Sequence, residues 1–400
     1  TAGGGTLRLW SQDNFGEDLI FNQRDSFIYY WDKSLGLSTR AKNLLELSDD
    51  APKKSRKVIV SERDRHVLCF GANPIGSDVQ DRMLVRFSHQ ENPFLWTPTA
   101  TNTAGDLRIG SGSEIITAVK TRRETIILTD TSVHSMQFIG PPFTFGINQL
   151  ASSITVKGFN SAVAVGDSVF WMGYDRFYVY DGRVQVIPCS VRDHVFQNFN
   201  ETQSDKVFAG VNSAFGEVFW FYPSETNSGA NGGTDENDKY VVYNYDQKIW
   251  YVGSLARTSW VDRGVYQYPL ATDSSFVYNH EKGNDNDGTA FTSFIESSPI
   301  DIQDGDQFVF LRRMIPDVSF DNSDTGISTD NNKAVFSLKA QRSPNGGFIK
   351  TSTNNVTPTT ELNHLRLRGR SFGLRVESTT QGVNWRFGTP RVDVRVDGDR

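Results

Sequence analysis

DLIFNQRDSFIYYW, residues 18–31, decides the fold: an apolar run at 18–21, a polar turn from Asn22 to Ser26, and an aromatic-rich run at 27–31. Short β-branched and aromatic runs bounded by turn residues fit a pleated, half-buried surface, so the unit reads as a β-hairpin. The pattern returns as VIV at 58–60 with VLCF at 67–70, IIL at 126–128 with MQFI at 136–139, and VFW at 169–171 with FYVY at 177–180. Later copies are VFWFY at 218–222, answered after a long insert by YVVYNY at 240–245 and IWYV at 249–252, and a weak one, FVY, at 276–278. Hairpins repeated at an average of roughly 40 to 50 residues are the signature of radial all-β arrays such as propellers. A scaffold is expected, with function on its surfaces.

Composition agrees with a globular chain. Its 400 residues, 37% hydrophobic and 12% aromatic, suffice for one large core or two ordinary ones, and 34 glycines supply the turns. No apolar run approaches the ~20 residues of a membrane helix, so no membrane segment is expected. The opening Thr1-Ala2-Gly3-Gly4-Gly5-Thr6 has neither the basic region nor the apolar segment of a signal peptide, and starting on Thr rather than Met suggests a trimmed piece. Cys69 and Cys189 show no zinc spacing and read as two separate reduced thiols. A formal charge of −6 argues against a protein that grips nucleic acid, though one that lets DNA slide past needs no basic excess.

Helices are scarce. The candidates are short connectors around 44–47 and at 191–199, where apolar residues recur at 191, 195, 196 and 199. The stretch 224–238, SETNSGANGGTDEND, lacks any large apolar side chain and is expected to be a mobile loop inside the first domain. A similar loop at 279–288 precedes a change to charged, alternating strands, which divides the chain into a propeller-like domain at 1–290 and a C-terminal β-sandwich at 291–400. In the tail, Arg391-Val392-Asp393-Val394-Arg395-Val396-Asp397 alternates without a slip, with valines on one face and charges on the other. A sandwich of about 100 residues fits.

Catalytic and metal signatures are missing from this pattern. Asp285-Asn286-Asp287-Gly288 lacks the ligand order of a calcium loop and reads as a plain loop. His66, His89, His134, His194, His280 and His364 are scattered and form no metal-binding pair. Gly110-Ser111-Gly112-Ser113 reads as a turn, and acids such as Glu17 and Asp18 or Asp49 and Asp50 are too common to nominate a glycosidase. No catalytic residue, metal or cofactor is expected. Aromatic clusters, Trp171, Phe177, Tyr178 and Tyr180 or Trp220, Phe221 and Tyr222, could stack on sugars but sit inside strand runs, where core packing is their usual role. The arginines at 366, 368, 370, 375, 386, 391 and 395 have two readings, a solvated sheet face or a subunit contact.

Four stretches carry a family resemblance: WSQDNFGEDLI at 10–20, KVFAGVNS at 206–213, residues 291–310 with RRMIPD at 312–317, and the closing 367–399. They resemble phage virion proteins, and are similar to the head-closure, tail-hub or nozzle proteins of short-tailed phages, the stabilisation and tubular tail proteins built on a β-propeller. The likeness runs over most of the chain. It implies a homo-oligomeric ring of six copies on the tail axis of the virion, assembled in the bacterial host cytoplasm. The ring would lie below the portal and adaptor, carry fibres or a needle, and pass double-stranded DNA without sequence-specific binding. Under this reading the C-terminal sheet carries the subunit interface, through Arg368, Arg370, Glu377, Arg391, Asp393 and Arg395. The alternative from another class is a tail-associated or extracellular glycan-binding or depolymerising β-propeller.

Overall fold

A computed structural model describes residues 7–61, 63–229, 235–302 and 305–398. They divide into two compact units, Thr1–His280 and Glu281–Arg400.

Five four-stranded antiparallel sheets follow one another in the first unit, each a simple meander. The first holds β1 (Trp10–Phe15), β2 (Asp18–Gln23), β3 (Ile28–Trp31) and β4 (Lys42–Asn43), and the second β5 (Lys57–Val60), β6 (Val67–Phe70), β7 (Leu84–Phe87) and β8 (Gly105–Arg108). The third holds β9 (Ile115–Lys120), β10 (Thr125–Thr129), β11 (Ser132–Gly140) and β12 (Thr144–Ser152), and the fourth β13 (Ala162–Val165), β14 (Ser168–Met172), β15 (Phe177–Tyr180) and β16 (Val184–Ile187). The fifth comprises β17 (Phe208–Asn212), β18 (Glu217–Tyr222), β19 (Lys239–Asn244) and β20 (Ile249–Ser254). A three-stranded sheet of β21 (Ser259–Val261), β22 (Leu270–Thr272) and β23 (Val277–Asn279) closes the unit.

Each sheet's first strand lies beside the first strand of the next, from β1 through β5, β9, β13 and β17 to β21. That is the arrangement of propeller blades around an axis. Between blades the cores are continuous: Trp220 and Tyr222 of β18 share one cluster with Phe170, Met172 and Phe177 of the blade before. Against β17, Trp260 packs so closely that a Cβ on Gly210 would lie 2.6 Å from its ring, so the residue there must be glycine.

The expected connectors are present and short. Leu44–Glu46 is a 3-10 turn with a capping box between Asn43 and Glu46, and Arg192–Phe196 is the helix α1, which buries Val195. The polar insert is tied at its base, where Ser224 N–H and Oγ both donate to the Asp238 carboxylate and the buried Asn237 amide donates to the Lys206 and Arg257 carbonyls. Hydrogen bonds hold these ends in place of apolar burial, while residues 230–234 of the expected mobile loop lie outside the described residues.

The second unit begins at Glu281 and not at 291, because the polar loop belongs to it. Asn284 donates to the Asn322 carbonyl and to Asp324, and Gln381 donates to Asp285 and the Gly288 carbonyl. The strands that follow are β24 (Ser293–Glu296), β25 (Ile300–Asp301), β26 (Val309–Ile315), β27 (Val318–Ser319), β28 (Ala334–Gln341), β29 (Phe348–Val356), β30 (Asn363–Gly369), β31 (Ser371–Ser378), β32 (Arg386–Phe387) and β33 (Arg391–Val396). One sheet runs β24-β31-β28-β29 with β25 also on β31, and a second runs β30-β26-β33. Val309, Leu311, Met314, Leu365 and Leu367 of the second meet Phe336, Leu338, Phe372 and Val376 of the first in one core, a sandwich. Overall the chain is all-β, a propeller-like array followed by a smaller sandwich.

Candidate functional site

Polar side chains gather at the axis of the first unit and at the edge of the second unit's smaller sheet. At the axis, β1, β5, β9, β13 and Phe208 of β17 line a cavity of about 340 Å³. Polar side chains cross it. Asp13 takes both carboxylate oxygens to Lys120 Nζ, each at 2.8 Å, and Lys57 Nζ donates to Thr117 Oγ1 at 2.8 Å with the Phe159 ring 5.0 Å away. Ser11 Oγ and Asp13 Oδ2 accept from the backbone N–H groups of Val58 and Val60, both at 2.9 Å. Two side chains on alternate positions of β1 thus cap the exposed edge of β5, which a sheet edge requires if it is not to pair elsewhere. Burial pushes the Lys57 ammonium down to about 8, with Asp13 acting in the opposite direction.

That shift predicts a stability effect with a definite sign. Below pH 8 both folded and unfolded chains hold the Lys57 proton and the full burial penalty applies; between about 8 and 10.5 the unfolded chain holds more, so stability rises with pH. Lys57→Met is expected to stabilise the protein by about 2 kcal/mol at pH 7. Thermal unfolding of both proteins from pH 7 to 10.5 should show the gap closing, and a gap independent of pH would contradict it.

The second place is the edge strand β33. Its register on β26, with Val396 opposite Val309, Val394 opposite Leu311 and Val392 opposite Met314, puts its valines on the face that forms the sandwich core. They are nevertheless 37%, 36% and 55% exposed at 392, 394 and 396. The same is true across the gap: Ile295 of β24 lies opposite buried Val376 yet is 52% exposed. The sandwich is therefore open along this side.

The six residues expected at a subunit interface fall into three groups. Arg391, Asp393 and Arg395 stand together on the outer face of β33, with Asp393 paired to Arg313 at 3.1 Å. Arg368 of β30 pairs with Asp397 and lies over the Phe308 ring, which Arg370 also covers. Glu377 belongs to the other sheet, bound to Arg375, which in turn holds Glu296 beside Lys339. The Lys339 and Arg375 hydrogen bonds keep the Glu296 carboxyl below its usual range. Among the described residues Arg391 and Arg395 have no carboxylate partner within the chain.

Comparison with known proteins yields no family and no curated relative. Among solved structures the chain is similar to the extracellular domain of a one-component system from B. thetaiotaomicron, at 10% identity and TM-score 0.43 over 90% of this chain and 46% of that one. It is also similar to an apocarotenoid oxygenase of Synechocystis, at 9% identity and TM-score 0.36 over 67% and 65% of the two chains. A third is PorZ, a surface component of the type-IX secretion system of Porphyromonas gingivalis, at 8% identity and TM-score 0.31 over 74% and 42%. The chain spans less than two thirds of the length of each.

Trp171, Phe177, Tyr178, Tyr180, Trp220, Phe221 and Tyr222 are all buried, from 0% to 6% exposed, so none offers a ring face to a sugar. Among the described residues no three His, Cys, Asp or Glu side chains gather as metal ligands, and no helix is long and apolar enough to cross a membrane. Both cysteines are free thiols, Cys69 buried and Cys189 half-buried. Sequence reasoning missed the axial pair Asp13 and Lys120, which stand in a run of polar residues at 11–14 and at the end of the strand IITAVK, 107 residues apart and without a motif.

Proposed function

We propose that this chain is a structural virion protein of a short-tailed phage tail, forming an axial ring of the nozzle or hub class at the head-tail junction. Such a ring would meet the adaptor and portal on one side, anchor fibres or a needle, and let double-stranded DNA pass. The observation that carries the reading is the open side of the sandwich, where exposed valines and two arginines without a carboxylate partner among the described residues mark a surface suited to a further protein. Virion resemblance at 10–20, 206–213, 291–317 and 367–399 supplies the biological setting. The conduit would be the centre of the ring and not the propeller axis, since a duplex whose major groove alone is about 12 Å wide does not fit a space crossed by Asp13 and Lys120. An acidic balance of −6 suits a wall that DNA slides along.

Negative-stain images of the purified chain are expected to show an annulus. Reversing charge with Arg391→Glu and Arg395→Glu together is expected to lower ring assembly in sizing experiments. A double mutant that assembles fully would remove these arginines from the interface, and a chain that degrades glycan as a solitary monomer would overturn the structural reading.

A further inference from the structure

From the edge strand β33 we infer a specific contact, antiparallel pairing of β33 with β33 of a second copy, centred on Val394. The hydrogen-bonding parity comes first. Asp397 N–H donates to the Phe308 carbonyl and Phe308 N–H donates to the Gly398 carbonyl, at 2.8 and 2.9 Å. With Phe310 opposite Arg395, the backbone groups of Arg395 and Asp397 therefore turn towards β26, and those of Val394 and Val396 turn away. The irregularity at Leu311/Arg313 skips Arg312 on β26 and leaves β33 uninterrupted, so Val392 also turns outward. Val392, Val394 and Val396 thus present free N–H and C=O groups along the open edge, since β33 ends its sheet.

Charge then selects the partner. Antiparallel pairing centred on Val394 sets Val392 opposite Val396 of the second copy, Arg391 opposite Asp397, and Asp393 opposite Arg395, so every charged pair is of opposite sign. Sliding by two residues either way puts Arg opposite Arg and Asp opposite Asp, and a parallel in-register pair does the same. A one-residue slip turns each valine row to the charged face. Sliding by four restores opposite signs but leaves only two arginine–aspartate pairs, so the register centred on Val394 is the one that pairs the whole strand and all four charges. Arg391 and Arg395, which lack a carboxylate among the described residues of their own chain, would each gain one, while Asp393 and Asp397 can accept a second arginine beside Arg313 and Arg368. On the other face, six valines would continue the two core faces as one strip. Such a contact is isologous and closes at two copies. It occupies the same edge that the ring reading gives to a neighbouring subunit, and as an isologous contact it is an alternative to a ring contact there.

Val394→Pro tests it. Proline removes an N–H that faces outward, which an edge strand tolerates, so circular dichroism and melting should stay near wild type. Sedimentation equilibrium of the wild-type chain should show a dimer that weakens with salt, and Val394→Pro should raise its dissociation constant at least about tenfold. A second arm uses Arg391→Glu with Arg395→Glu, and separately Asp393→Lys with Asp397→Lys: each variant should be monomeric alone, and an equimolar mixture should form heterodimers. A monomeric wild type at about 100 µM, or oligomers that both Val394→Pro and the charge variants leave unchanged, overturns the pairing. In the latter case an annulus in images still stands for the ring, whereas a proline-sensitive dimer without any annulus supports the pairing and sinks the ring.

Discussion

Trp220→Ala is expected to destabilise the first unit by about 4 kcal/mol, the range found when a fully buried tryptophan is emptied to a methyl group. Trp220 is 0% exposed, and its indole reaches from β18 into the neighbouring blade. There its N–H donates to the Ser161 carbonyl at 3.0 Å and its ring lies 4.9 Å from Phe177, while Trp250 of its own sheet lies 6.1 Å away. Alanine would leave a cavity at a junction where two sheets share a core, and neither sheet can close it without moving its ladder. Trp220→Phe keeps most of the apolar volume, and Ser161 still accepts from Met172 N–H, so its cost should stay near 1 kcal/mol. Urea unfolding of the three proteins checks the order. A loss under about 1.5 kcal/mol for alanine would mean that the blades are not joined through this residue.

The same burial pattern explains what could be read from residues alone. Strands 126–128, 169–171 and 218–222 were legible because they lie inside the blades with large side chains packed on both faces, Val218 to Tyr222 all buried. The first strands were harder. Ala162–Val165 and Phe208–Asn212 carry less apolar bulk than the strands that follow them, and their partners are side chains of the next blade, distant in sequence. In the tail, the alternation of β33 was legible and its face correctly marked, but not that the opposite sheet leaves that face uncovered. Nor could sequence show that β30 and β31, one residue apart, enter different sheets and carry Arg368 and Glu377 away from each other. The crossing turns on Gly369, where a Cβ would lie 2.9 Å from the Gln341 carbonyl. The domain boundary shifted for a related reason, since the polar loop after His280 spends its hydrogen bonds on the second unit.

Acid should weaken the first unit through His66, with a loss of about 3 kcal/mol between pH 6.5 and 4. His66 is 0% exposed, hydrogen-bonded through Nε2 to Thr103 Oγ1 at 3.0 Å, and ringed by Phe145, Phe138 and Phe87 with centroids at 5.0, 5.7 and 6.4 Å. Burial, and next the charge of His89, pull its pKa down to about 4. The folded imidazole therefore stays neutral through a range in which the unfolded one, near 6.5, takes up a proton. Stability is whole above pH 6.5 and falls as pH drops towards 4, because protons bind the unfolded chain first. His280 contributes in the same direction, its Nε2 accepting from Arg257 Nε at 2.9 Å and its pKa pulled to about 4 by burial and then by that guanidinium. His66→Gln, whatever it costs at pH 7, should flatten the acid limb of the stability curve, since no proton is then taken up at this position on unfolding. Urea unfolding at half-unit steps from pH 7 to 4 measures the slope directly, and parallel limbs for the two proteins would locate the acid sensitivity elsewhere.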